Sequence, residues 1–194
     1  MERIITSKYN SIDELIENSA TYSIEEIHNL IEYIIEEWKL NKLTAVAIYA
    51  LFNFLYNYLN SPKIKINFKN RIPIPICYFS SFLLMSASIL YSYLKTLSFS
   101  VKLFSLDQTE KQLITFIEKE NPSLIIFTLS QFIHVDALKK LIPSLHKRNL
   151  KIFIGGIPFS YDESLKNEFP NCIFPQNKKE LSLKLTQIIK EGKM

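Results

Sequence analysis

The sequence predicts an α/β fold: an N-terminal helical bundle followed by a flavodoxin-like five-stranded parallel sheet flanked by helices. Three observations carry this. Residues 122–159, PSLIIFTLSQFIHVDALKKLIPSLHKRNLKIFIGGIPF, read as strand, helix, strand and turn. The apolar period changes across residues 61–71, from helical spacing before to short runs after. From residue 72 onward those runs alternate with amphipathic segments.

The first observation is the strongest. Leu124-Ile125-Ile126-Phe127 is unbroken apolar sequence, as in a strand covered on both faces. Val135, Leu138, Leu141 and Ile142 recur at helical spacing, with Lys139 and Lys140 opposite. Ile152-Phe153-Ile154 is a second such strand, and it stops at Gly155-Gly156, two of only three glycines. Two parallel strands joined by a helix form a right-handed βαβ unit. Ligands in such sheets bind beyond the carboxyl ends of the strands, where Thr128, Ser130 and the two glycines fall.

In chain order, Ser11 with Glu14, and Ser23 with Glu26, have the spacing of capping boxes. The second helix is expected to turn Ile27, Leu30, Ile31, Ile34 and Ile35 inward and to end near Trp38 and Asn41. Thr44 caps a third helix through Leu59 that is apolar nearly all round, a candidate dimer or partner contact. Its aromatic residues read as core. Ser61-Pro62 ends it. Residues 1–60 are thus assigned to a bundle, 61–72 to a linker and 73–194 to the α/β domain. Within that domain the strands are expected at Ile74–Phe79, Ser100–Phe104, Leu124–Phe127, Ile152–Ile154 and near Cys172–Phe174. Helices are expected at Ser81–Leu97, Gln108–Glu120, from Val135, near Tyr161–Glu168 and at Lys178–Lys190. The expected strand order is 2-1-3-4-5.

Composition narrows the function. The hydrophobic share of 47% is ample for a core, and the net charge of +4 spreads 23 basic residues among 19 acidic ones. Lys63, Lys65, Lys69 and Arg71 form the densest basic group and read as a solvated linker, so no direct nucleic-acid contact is expected. Cys77 and Cys172 have no metal-ligand spacing and read as free thiols of a reducing compartment. The N-terminus has no apolar h-region, and the expected location is cytoplasmic. Leu43–Leu59 is short for a membrane span. Ile72–Leu94 is long enough but carries Pro73, Pro75 and five serines, so it reads as a buried strand and helix.

These motifs resemble the sensory modules of light-sensing, cobalamin-dependent transcriptional repressors, over residues 23 to 191. IGGIPFSYDESLKNEF resembles the Gly-Gly, Phe and helix element whose glycines, Gly155 and Gly156 here, lie against the corrin nucleotide tail. TLSQFIHVDALKKLI resembles a Ser-x-Leu or Ser-x-Thr element, which places Thr128 and Ser130 at the buried base. WKLNKLTAVAIY resembles the segment whose Trp, here Trp38, caps the upper ligand of cobalt. The family's following Glu-His pair falls on Ile48-Tyr49. The Asp-x-His-x-x-Gly signature, whose His is the lower axial ligand, falls on Ser81, Leu83 and Ser86. Leucine has no lone pair for a metal, Ser81 removes the orienting carboxylate, and Ser86 adds a side chain to the tail channel.

Of the remaining histidines, His134 lies near the same edge and reads as a surface or capping residue. His28 and His146 have no second ligand at helical spacing. Strand ends one and three carry no carboxylate for Mg²⁺, SSFLLMS has no glycine for a phosphate loop, and no nucleophile–base pair is visible, so catalysis is not expected. Two readings follow. One is a non-catalytic regulatory or scaffold module that acts through protein contacts, without cobalamin in the base-off, His-on mode and with any transcriptional role exerted through a partner. The other is a ligand sensor binding cobalamin base-on, another tetrapyrrole or a small apolar molecule, at a site of Trp38, Tyr49, Ser81, Leu83, Ser86, Thr128, Ser130, Gly155 and Gly156.

Overall fold

The computed structural model describes residues 22–79, 85–148 and 150–191. The first described helix, α1 (Ile24–Lys39), opens on a complete capping box. Glu26 N donates to Ser23 Oγ at 3.2 Å, and Ser23 N donates to Glu26 Oε2 at 2.8 Å. Helix α2 (Ala45–Leu59) starts where Ala47 N donates to Thr44 Oγ1 at 3.2 Å. The helix expected from Ser11 lies outside the described residues.

The chain then alternates: β1 (Ile74–Tyr78), α3 (Met85–Thr96), β2 (Val101–Ser105), α4 (Leu106–Glu120), β3 (Leu124–Leu129), α5 (Val135–His146) and β4 (Lys151–Gly156). A five-residue helix α6 (Ile157–Tyr161), a 3-10 turn (Glu163–Glu168) and α7 (Lys178–Glu191) complete it. Ile72–Leu94 is divided between β1 and α3, and no described helix is long and apolar enough to cross a membrane.

The sheet is parallel, but among the described residues it has four strands in the order β2-β1-β3-β4, not five. At the expected fifth strand only Ile173 pairs, in a bridge to Phe153. Its N–H donates to Ile152 and its C=O accepts from Ile154 N. The reason is local: Pro170 and Pro175 bracket the segment, and Asn171 sits at φ 65. Proline lacks a ladder donor, and a left-handed residue breaks extended geometry. The helix expected over Tyr161–Glu168 is likewise split by Asp162, which is extended at φ −129 and caps the 3-10 turn through Ser164 N.

All six residues of β3 are buried, and they alternate between two cores. Leu124 and Ile126 join Ile74, Ile76 and Phe153 in a cluster with α1, α2, α3 and α7. Ile125 and Phe127 join Cys77, Ile152 and Ile154 in a second cluster with α4 and α5. Each fully buried aliphatic side chain contributes about 1.5–3 kcal/mol. Helices α1 and α2 both rest on α3. The end of α2 is tied down by a buried lysine: Lys95 Nζ donates to Asn60 Oδ1 at 2.6 Å and to Tyr91 Oη at 2.8 Å. Burial lowers the Lys95 pKa and pushes Tyr91 up to about 12, so the Tyr91 hydroxyl keeps its proton.

Helix α1 is tied to α3 by His28, whose Nδ1 lies 2.9 Å from Thr96 Oγ1 and whose ring tilts against Tyr93. Burial lowers its pKa from 6.5, Glu32 opposes that shift and Lys178 adds to it. The folded chain therefore takes up this proton less readily than the unfolded chain. The contribution of His28 is complete above the unfolded pKa and falls as pH drops through 6.5 toward the folded value. Urea midpoints between about pH 8 and pH 5 are expected to decline more steeply for the wild type than for His28→Gln. Equal slopes would exclude His28 as a source of acid sensitivity.

Candidate functional site

The carboxyl edge of the sheet is built by register. Tyr78 pairs with Thr128, Thr128 with Gly155 and Leu129 with Gly156. Strand order reverses between β1 and β3, the crevice at which open α/β sheets take ligands. Beside it, between the ends of β3 and β4 and the start of α7, lies a cavity of about 230 Å³. Thr128, Gly155, Gly156, Ser160, Lys178 and Leu181 line it. A cavity of about 300 Å³ lies at the opposite, amino edge, around Arg71, Pro73, Asn121 and Ile188.

The two glycines have different reasons. Gly156 has φ +117, and a Cβ there would stand 2.0 Å from the Leu129 carbonyl oxygen. β3 and β4 approach too closely for any side chain. Around Gly155 a Cβ would meet nothing within 4 Å. The fold does not need glycine at that position, and its absent side chain leaves room in the cavity.

The other residues expected at the site divide. Ser86, in the first turn of α3, and Ser130, just past β3, share a hydrogen bond of 3.0 Å that closes the edge on the β1 side. Thr128 is buried in the cavity wall. Ser81 and Leu83 lie outside the described residues. Trp38 and Tyr49 do not line the cavity. α1 packs through Ile27, Leu30, Ile31, Ile34 and Ile35, which leaves Trp38 partly buried at the helix end. α2 turns Ile48, Leu51, Phe52, Leu55 and Leu59 inward, so Tyr49, a further 100° round, is half exposed.

The histidines occupy three separate places. The ring of His134 stacks on Phe79 at 5.0 Å, and its buried Nε2 has no hydrogen-bond partner among the described residues. His28 joins α1 to α3, and His146 Nε2 lies 3.9 Å from Cys172 Sγ. No group of three metal-ligating side chains occurs among the described residues. Burial raises the Cys77 thiol well above its usual range and Cys172 to about 11, so both stay protonated.

Two features of the edge escape sequence reasoning. Lys178 lines the cavity and its Nζ lies 2.5 Å from Glu32 Oε2, a pairing no local pattern announces. A rim of exposed apolar residues also follows the strand ends: Phe132 and Ile133 (79% exposed) after β3, Ile157 and Tyr161 (83%) in α6. Their signal in the sequence is the apolar residues shortly after β3 and β4, at positions that also suit a turn or a helix start.

Alanine substitution separates the glycines. Gly156→Ala is expected to lower unfolding stability by roughly 2–3 kcal/mol, and Gly155→Ala to stay within about 0.5 kcal/mol of wild type in urea. Equal losses would mean that both glycines serve the backbone alone.

No protein-family model matches the chain. No curated protein matches it. Solved structures do. A novel cobalamin-binding protein from Desulfitobacterium hafniense DCB-2 is 15% identical with a TM-score of 0.55, over 97% of this chain and 87% of that one. The methanol:cobalamin methyltransferase complex MtaBC from Methanosarcina barkeri is 13% identical with a TM-score of 0.54, over 86% of this chain and 66% of that one. At these identities the likeness is one of fold: the chain has the parallel α/β fold of cobalamin-binding domains.

Proposed function

We propose that this chain is a non-catalytic regulatory module that reads a ligand at the carboxyl edge of its sheet and does not hold cobalamin through a protein histidine. The observation that supports this is Gly155, whose missing side chain opens the cavity and serves nothing in the backbone. The exposed rim of Phe132, Ile133, Ile157 and Tyr161 adds an apolar surface beside it. Pockets for drug-sized ligands measure about 300–1,000 Å³. At about 230 Å³ the cavity takes a compact appendage, while a flat apolar body rests on the rim.

Cobalamin fits this edge only in part. A macrocycle can lie on the rim with an appendage below it. A lower histidine ligand does not fit, because each described histidine is engaged away from the cavity or turned into the protein. Cobalamin without a protein ligand, another tetrapyrrole, or a smaller apolar molecule are the ligand classes this arrangement suits. The cavity lining has hydroxyls, the carboxamides of Gln176 and Asn177 and one ammonium but no carboxylate, which favours binding over acid–base chemistry.

A second reading, a scaffold acting through protein contacts alone, is favoured by α2. Residues 43–59 carry no charge, and Val46 and Tyr49 stand exposed on their outer face. That face suits a second copy or a partner.

Purified protein is mixed in the dark with methylcobalamin, adenosylcobalamin or haemin and passed through a desalting column. The expected result is retained tetrapyrrole absorbance without histidine ligation, reduced at least about tenfold by Gly155→Leu, which fills the cavity. A spectrum of the base-off, His-on type refutes the histidine-free proposal. Retention of none of the three, together with a partner captured through α2, moves the assignment to the scaffold.

A further inference from the structure

The cavity and helix α1 meet at one side chain. Lys178 is the first residue of α7 and lines the cavity. Its ammonium lies 2.5 Å from Glu32 Oε2 of α1 and 5.2 Å over the ring of Tyr93 of α3. Nζ is sealed from solvent, and Glu32 is its charged partner. An ammonium has three donors, and a buried donor without an acceptor is unfavourable. Glu32 answers the charge and one of the three donors. Next to this contact lies the cavity, whose lining has no carboxylate to compete.

Resting on the reading of the cavity as a ligand site, we propose that Lys178 relays its occupancy to helix α1: an anionic oxygen of the ligand, phosphate or carboxylate, takes Lys178 from Glu32 and loosens α1 from α3 and α7. Glu32 is part exposed, with 27% of its side chain open to solvent, so water can take the place of the lysine. The ligand's anionic group thereby takes over the ion pair, Glu32 is left to solvent, and α1 loses its tie to α7.

The test uses inorganic phosphate and acetate at constant ionic strength, with chloride as control, on the full chain. Affinity is read by titration calorimetry and α1 attachment by hydrogen exchange of its amides. In the wild type, phosphate or acetate is expected to bind and to speed exchange in α1. Glu32→Gln removes the competitor and is expected to bind at least about fivefold more tightly, whereas Lys178→Met loses at least about tenfold. Should Lys178→Met not fold, the Glu32→Gln arm decides alone. Binding unchanged by Glu32→Gln, or α1 exchange unchanged at saturation, overturns the relay. No binding of either anion by Glu32→Gln also overturns it, because there Lys178 has no competitor. Retention of a tetrapyrrole by the wild type with any of these failures leaves the ligand site standing and removes the relay alone. Loss of tetrapyrrole retention with the expected anion results removes the proposed ligand class and leaves the relay.

Discussion

The approach of β3 to β4 at Leu129 and Gly156 is the constraint on which the carboxyl edge depends. The backbone there leaves no volume for a Cβ, and the residue takes a φ that side chains resist. That conformation turns the chain sharply out of the sheet and starts α6 at once, with Pro158 fixing its first turn. Ile157 and Tyr161 are thereby held outward, and Phe159 is carried inward against Phe169 and Phe174. The cavity exists because this turn leaves the sheet before α7 comes back to it. One steric condition thus sets the rim, the aromatic cluster and the space between.

Much of this was legible where physics is local. Capping is a contact between residues three apart, so the starts at Ser23 and Thr44 can be read from sequence. A strand buried on both faces must be apolar without interruption, which announces residues 124–127 and 152–154. The fifth strand was less legible. Its apolar residues, Cys172 to Phe174, look like any short strand, and only the dihedral at Asn171 and the two prolines show that pairing stops at one residue.

For the candidate site the sequence marks the place but not the detail. Glycine pairs after a strand mark the edge, but the sequence does not distinguish the glycine the backbone needs from the one it does not. Periodicity puts Trp38 and Tyr49 on their helices without saying which way those helices face the strand ends. The Lys178–Glu32 pair joins segments far apart in the chain, and nothing near either residue anticipates it. Leu83 and Ser81, on which the comparison with light-sensing repressors turned, belong to the segment between β1 and α3 that the structure does not describe.

The single bridge at Ile173 also bears on how the sheet ends. An open parallel sheet exposes two rows of main-chain donors and acceptors, templates for unwanted strand addition. On the β4 side, Ile173 satisfies the middle of the strand, and the flanking prolines prevent the added segment from offering a new ladder. On the β2 side, the exposed Lys102 stands over the rings of Phe104 and Phe116, a charge on a short edge strand. Both margins are thus guarded against growth into a continuous sheet. Backbone pairing, which does not discriminate between partners, is thereby closed off at both margins, and the surfaces left open are side chains on the helices and on the carboxyl rim.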